Sequence, residues 1–213
     1  MKNLFLLLLG PTLMIFIGLQ LLENVLITFI LFYSWLLLVP LISKGFTIGE
    51  LVSKDPQRSI RYGILSGGVF FLFIFGGLYW LHPYFIDVEH LQKLLTEWGF
   101  SGNGVFGLIL VLLIVNPILE EVYWRGFMYT RLKEKVKPIH AIWIASACYT
   151  LYHFLSVIPM FQWPLNAIAV LPVFIAGLFW GYMREKTGSI IGTVISHALG
   201  DLGIMCVYWF FVK

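Results

Sequence analysis

Residues 103–130 read NGVFGLILVLLIVNPILEEVYWRGFMYT, a run apolar enough to lie within a membrane. No charge interrupts it before Glu120. A helix rises 1.5 Å per residue, so about 20 apolar residues cross the roughly 30 Å hydrocarbon core of a bilayer. This run is long enough to cross and to tilt or project beyond. Working outward, six more apolar runs pass the same ruler: 3–21, 25–43, 62–81, 139–159, 164–183 and 189–212. Composition agrees with that reading. Of 213 residues, 60% are hydrophobic and 12% charged, against roughly 25% charged in soluble domains. The expectation is an all-α polytopic membrane helix bundle of about seven transmembrane helices, one membrane-embedded domain over 1–213.

Smaller features fill in the chain. Met1-Lys2 leads into an apolar run longer than a signal-peptide core, with no clear small-residue cleavage site after it, so it reads as a retained first span. Leu22-Glu23-Asn24 reads as a tight turn, and His90–Phe100 (HLQKLLTEWGF) as a short helix on the outer membrane surface or in an ordinary surface loop. Cys148 and Cys206 sit in apolar runs without metal-type spacing, which marks them as core residues. A net charge of +3 gives no argument for a nucleic-acid partner. The partners implied are the lipid bilayer and something embedded in it; oligomeric state is left open.

Cations set the orientation. Lys44, Lys54, Arg58 and Arg61 lie between spans two and three, Arg131, Lys133, Lys135 and Lys137 between four and five, and Arg184 and Lys186 between six and seven. With seven spans these loops share one side with Lys2. The opposite loops carry Glu23, then Asp87, Glu89 and Glu97 with only Lys93. The N-terminus is therefore expected inside and the C-terminus outside, with Lys213 the exception. Tyr79, Trp80, Trp209, Phe210 and Phe211 suit interfacial belts, and His82, His90 and His140 sit at span ends.

Function is written in the groups that a bilayer disfavours. A charged side chain costs about 2.5–3.5 kcal/mol on insertion scales, so ionisable residues in spans mark function by default. Six occur: Glu120, Glu121 and Arg125 in span four, His153 in span five, His197 and Asp201 in span seven. The cheapest arrangement turns all of them to one another. Glu121 and Arg125 are four apart and pair on one helix face; Glu120 lies about 100° round the helix and can point into a cavity. His197 and Asp201 share a face, as do Tyr149 and His153. Counted from the inner loops, Glu120, Asp201, His197 and His153 lie about 16, 18, 12 and 22 Å deep, close enough to meet near mid-membrane. Asn116-Pro117 breaks the helix one turn before Glu120, as tolerated beside cavities.

Glu120-Glu121-Val122-Tyr123-Trp124-Arg125 is an EExxxR pattern, Tyr149–His153 an aromatic-xxx-His pattern, and His197–Asp201 an HxxxD pattern. In this order, on three apolar helices, they resemble the motifs of the CPBP family, the CAAX-processing and bacteriocin-processing intramembrane proteases. The resemblance covers about 110–205 and implies a catalytic core over about 103–212. It implies that Glu120 activates water for attack on a peptide carbonyl, that His153 helps hold that water, and that His197 and Asp201 stabilise the oxyanion or orient the substrate. Glu121, Arg125 and Tyr149 would support them. Tyr149 stands where the family often has Phe, and Asp201 where the CAAX-processing branch often has Asn. An ionised carboxylate repels an oxyanion, so Asp201 must be protonated or must orient His197 instead.

No cofactor is the favoured reading; zinc is the alternative, and Glu120, His153 and His197 would ligate it. HExxH is missing, which excludes a zincin arrangement. The expected substrate is a membrane-associated protein or peptide cut near its C-terminal part: a CAAX-like tail, a bacteriocin-type precursor or a sorting signal. A short chain of this kind points to a prokaryotic cytoplasmic membrane. The rival readings are a non-enzymatic immunity or scaffold protein and a proton-coupled transporter, which the lack of repeat symmetry disfavours.

Overall fold

A computed structural model describes residues 2–43, 48–52 and 56–213. Lys44 and Lys54, used above for orientation, lie outside the described residues, as does the side chain of Lys2. All regular structure among the described residues is helical. The long helices are α1 (Leu4–Leu21), α2 (Val25–Ile42), α3 (Pro56–Phe85), α5 (Gly104–Lys133), α7 (Leu165–Thr187) and α8 (Ile191–Val212), each long and apolar enough to cross a membrane. The expected span at 139–159 is α6, Pro138–Val157, whose 20 residues give the required length. His140 and His153, with Ser146, Thr150 and Ser156, leave it less apolar than the six. The expectation of about seven spans is therefore close, and the chain is an integral membrane protein. Large side chains such as Leu65, Val69, Leu72 and Phe73 on α3 stand exposed, as a lipid-facing surface requires.

Local chemistry explains the boundaries. The turn at Leu22–Asn24 forms: Glu23 adopts φ 49°, and the Asn24 side chain caps α2 by accepting from the Ile27 N–H at 3.0 Å. α3 is longer at both ends than the expected 62–81, because Pro56 suits a first helical position and Pro83 falls only two residues before its end. The surface segment forms α4 (Val88–Glu97), capped by Asp87, whose carboxylate accepts from the His90 N–H at 3.0 Å. Gln92 of α4 donates to the Val212 carbonyl at 2.7 Å.

The chain divides into two compact units. Met1–Lys54 with Leu119–Ile190 forms one; Asp55–Ile118 with Ile191–Lys213 forms the other. In the first, Tyr123, Trp124, Phe127 and Met128 of α5 are buried to 1% exposure or less. Trp35 of α2 donates to the Tyr123 hydroxyl at 2.9 Å, and that hydroxyl donates to the Leu7 carbonyl of α1 at 2.6 Å, so one phenol ties three helices.

In the second unit α3 packs on α8 through small residues spaced four apart, Ser59, Gly63 and Gly67 against Gly192, Ser196 and Gly200. A Cβ on Gly63 would lie 2.5 Å from the Gly192 carbonyl oxygen, and one on Gly67 would lie 2.9 Å from the Ser196 Cα. The Gly192 N–H donates to Ser59 Oγ at 3.0 Å, and Ser66 Oγ donates to Ser196 Oγ at 3.0 Å. Within lipid, where burial of apolar surface no longer drives association, close approach and such hydrogen bonds hold helices together.

Candidate active site

The helix that carries the EExxxR pattern is irregular where the pattern lies. Wide π-type turns at Val111–Val115 and Val122–Met128 bracket the regular turn Asn116–Glu121. Pro117 has no N–H to give its own turn. The Asn116 N–H instead bonds the Val111 carbonyl five residues back, so the helix continues through the proline by widening. Such bulges recur at functional sites because they re-aim the side chains that follow.

In the first unit Glu120, Glu121 and Arg125 are 1%, 0% and 3% exposed. Arg125 Nη1 donates to Glu121 Oε1 at 2.8 Å and Nη2 to the Gly177 carbonyl of α7 at 3.2 Å. Its guanidinium carbon lies 4.5 Å from the Tyr149 ring centre and 5.1 Å from that of Trp180. A carboxylate, a carbonyl and two aromatic faces thus surround one cation, which is how a buried charge becomes tolerable. Arg184 Nε donates to the Arg125 carbonyl at 3.1 Å, holding the bulge from α7.

His153 is half-buried, and its Nδ1 lies 2.9 Å from the Tyr149 carbonyl. A carbonyl only accepts, so Nδ1 is the nitrogen that donates here, and in the neutral form of the ring the lone pair lies on Nε2, the nitrogen suited to a water or a proton. The ring sits 4.5 Å from both Tyr149 and Tyr152. Tyr152, which the spacing argument passed over, is 2% exposed with its hydroxyl beside the Glu120 carboxyl. Its position directly before His153 was the available signal.

In the second unit His197, 3% exposed, places Nε2 3.5 Å from Asp201 Oδ2. The same oxygen lies 3.5 Å from the Asn116 side-chain nitrogen. Both contacts are long, and both present a donor to the carboxylate. Asn116, noticed in the sequence only for the proline after it, is thus the amide that faces Asp201. Among the described residues no group of three or more His, Cys, Asp or Glu side chains is set to hold a metal ion.

A polar pocket at the C-terminal end of α5 is lined by Tyr129, Lys133, Arg184 and Glu185. There Lys133 pairs with Glu185 at 2.8 Å and Tyr129 donates to the same carboxylate, a clamp between α5 and α7.

Residues 102–203 match the family described as type II CAAX prenyl endopeptidase Rce1-like. The match spans a little under half of the chain and makes this segment similar to that family. All four expected catalytic residues and all three motifs fall inside the Rce1-like segment, which lies almost wholly within the core expected at 103–212. No curated protein and no solved structure matches the chain. The matched segment is thus similar to membrane endopeptidases of the CAAX type.

Proposed function

We propose that the chain is a glutamic-type intramembrane endopeptidase that cuts a membrane-associated protein or peptide near its C-terminal part. Glu120 takes a proton from water as the oxygen attacks the scissile carbonyl, and His153 Nε2 holds that water by accepting its second hydrogen. The attack gives a tetrahedral oxyanion. His197, acting as an imidazolium, stabilises it with its second ring N–H, and Asp201, with donors from His197 and Asn116 around one oxygen, orients that ring instead of meeting the oxyanion itself. Collapse then breaks the C–N bond, and the proton held by Glu120 passes to the leaving amine. The observation that carries this reading is that EExxxR, YxxxH and HxxxD all lie, in order, within 102–203. The burial of Glu120 suits a base whose strength is tuned by desolvation.

The reaction is read as metal-free, and the substrate as a peptide precursor or C-terminal sorting signal from a prokaryotic membrane, with prenylated tails a second class. Purified protein in liposomes, given a farnesylated CAAX peptide and an unprenylated peptide with a C-terminal membrane anchor, tests both points by mass spectrometry. A new cleavage product from the anchored peptide is expected, and its rate should be unchanged after treatment with a zinc chelator. Cleavage of neither peptide, or loss of activity that zinc restores, contradicts the reading.

A further inference from the structure

Tyr152 is a buried phenol whose hydroxyl the packing does not require. Its ring stacks on Trp124 (centroids 6.1 Å apart, planes at 18°), lies 5.0 Å from Phe32 and 4.5 Å from His153, and meets Tyr149 edge-on at 5.6 Å. A phenylalanine would make every one of these contacts. The hydroxyl oxygen is enclosed and completes no hydrogen bond of full geometry, and burying it that way is costly unless it has work to do. It faces the Glu120 carboxyl. Arg125, the strong donor nearby on α5, is committed to Glu121 and Gly177.

We propose that Tyr152 is a positioning residue for the hydrolysis: its hydroxyl donates to one oxygen of the Glu120 carboxylate and leaves the other to take the proton from water. The inference rests on Glu120 being the base. A contact that is loose in the resting protein and tightens with substrate is usual for catalytic hydrogen bonds. Rings on several sides of Tyr152 stop the hydroxyl from swinging away, so the carboxyl is held in one orientation.

Tyr152→Phe removes the hydroxyl and retains the ring, which separates this role from packing. Infrared spectra of the purified protein identify the Glu120 carboxyl band as the one lost in Glu120→Gln. That band is expected to shift in Tyr152→Phe, and it is read on the protein alone, whatever the substrate. With the farnesylated and the anchored peptides as probes, Tyr152→Phe should lower kcat roughly tenfold and leave KM within about twofold. An unmoved band overturns the contact, and a wild-type kcat overturns its part in the reaction. If Glu120→Gln is inactive while Tyr152→Phe behaves as wild type, only this inference fails. If Glu120→Gln is active, the base assignment itself fails.

Discussion

At the scale of residues, the most telling group is Arg125. Its charge is shared by Glu121, the Gly177 carbonyl and the faces of Tyr149 and Trp180. Removing one partner of a buried ion pair costs about 3–5 kcal/mol, because the other charge is left behind. Arg125→Ala should therefore lower the thermal midpoint in detergent sharply, and Glu121→Gln combined with Arg125→Met should recover part of the loss. A double variant no more stable than Arg125→Ala would contradict the pairing. This pair was legible from spacing alone, since residues four apart on a helix must meet. Tyr152 and the amide of Asn116 were not, because spacing says which residues share a face and nothing of which helix lies against it. A tyrosine in a span reads first as belt or core; only its neighbours Trp124 and His153 make it part of the site.

At the scale of elements, the reading of apolar runs found the helices and blurred their ends. Pro138–Val157 was visible by length, and His140 and His153 help to make it the least apolar. The contact of α3 with α8 was written as Ser59, Gly63 and Gly67, a rhythm of small residues that hydropathy does not register. Gly63 separates the two explanations of such a glycine. Its Cβ would collide with the Gly192 backbone, whereas Gly68, five residues on and turned away, has nothing within 4 Å. Gly63→Leu should destabilise the protein by about 1–3 kcal/mol, the usual cost of overpacking, and should lower activity because α8 carries His197 and Asp201. Gly68→Leu should be tolerated. Equal melting temperatures for the two variants would show that the seam is not close-packed.

At the scale of the whole molecule, charge asymmetry gives an expected orientation that labelling can test. Arg131, Lys133, Lys135 and Lys137 crowd one loop, while Asp87, Glu89 and Glu97 surround α4. By the positive-inside rule α4 is expected outside. Cysteine introduced at Glu97 should react with a membrane-impermeant maleimide in intact cells, and cysteine at Lys135 only after permeabilisation; the reverse labelling would invert the topology.

If one buried carboxylate does the chemistry, Glu120→Gln should abolish most of it. The substitution keeps the size and the amide can still fill the site, yet it cannot accept a proton from water. The measurement is the single-turnover cleavage rate of the purified variant in liposomes, beside its melting temperature. A fall of roughly 10²–10⁴-fold is expected, the usual contribution of a general base, with the melting temperature of the wild type. A correctly folded Glu120→Gln protein that cleaves at the wild-type rate would contradict it.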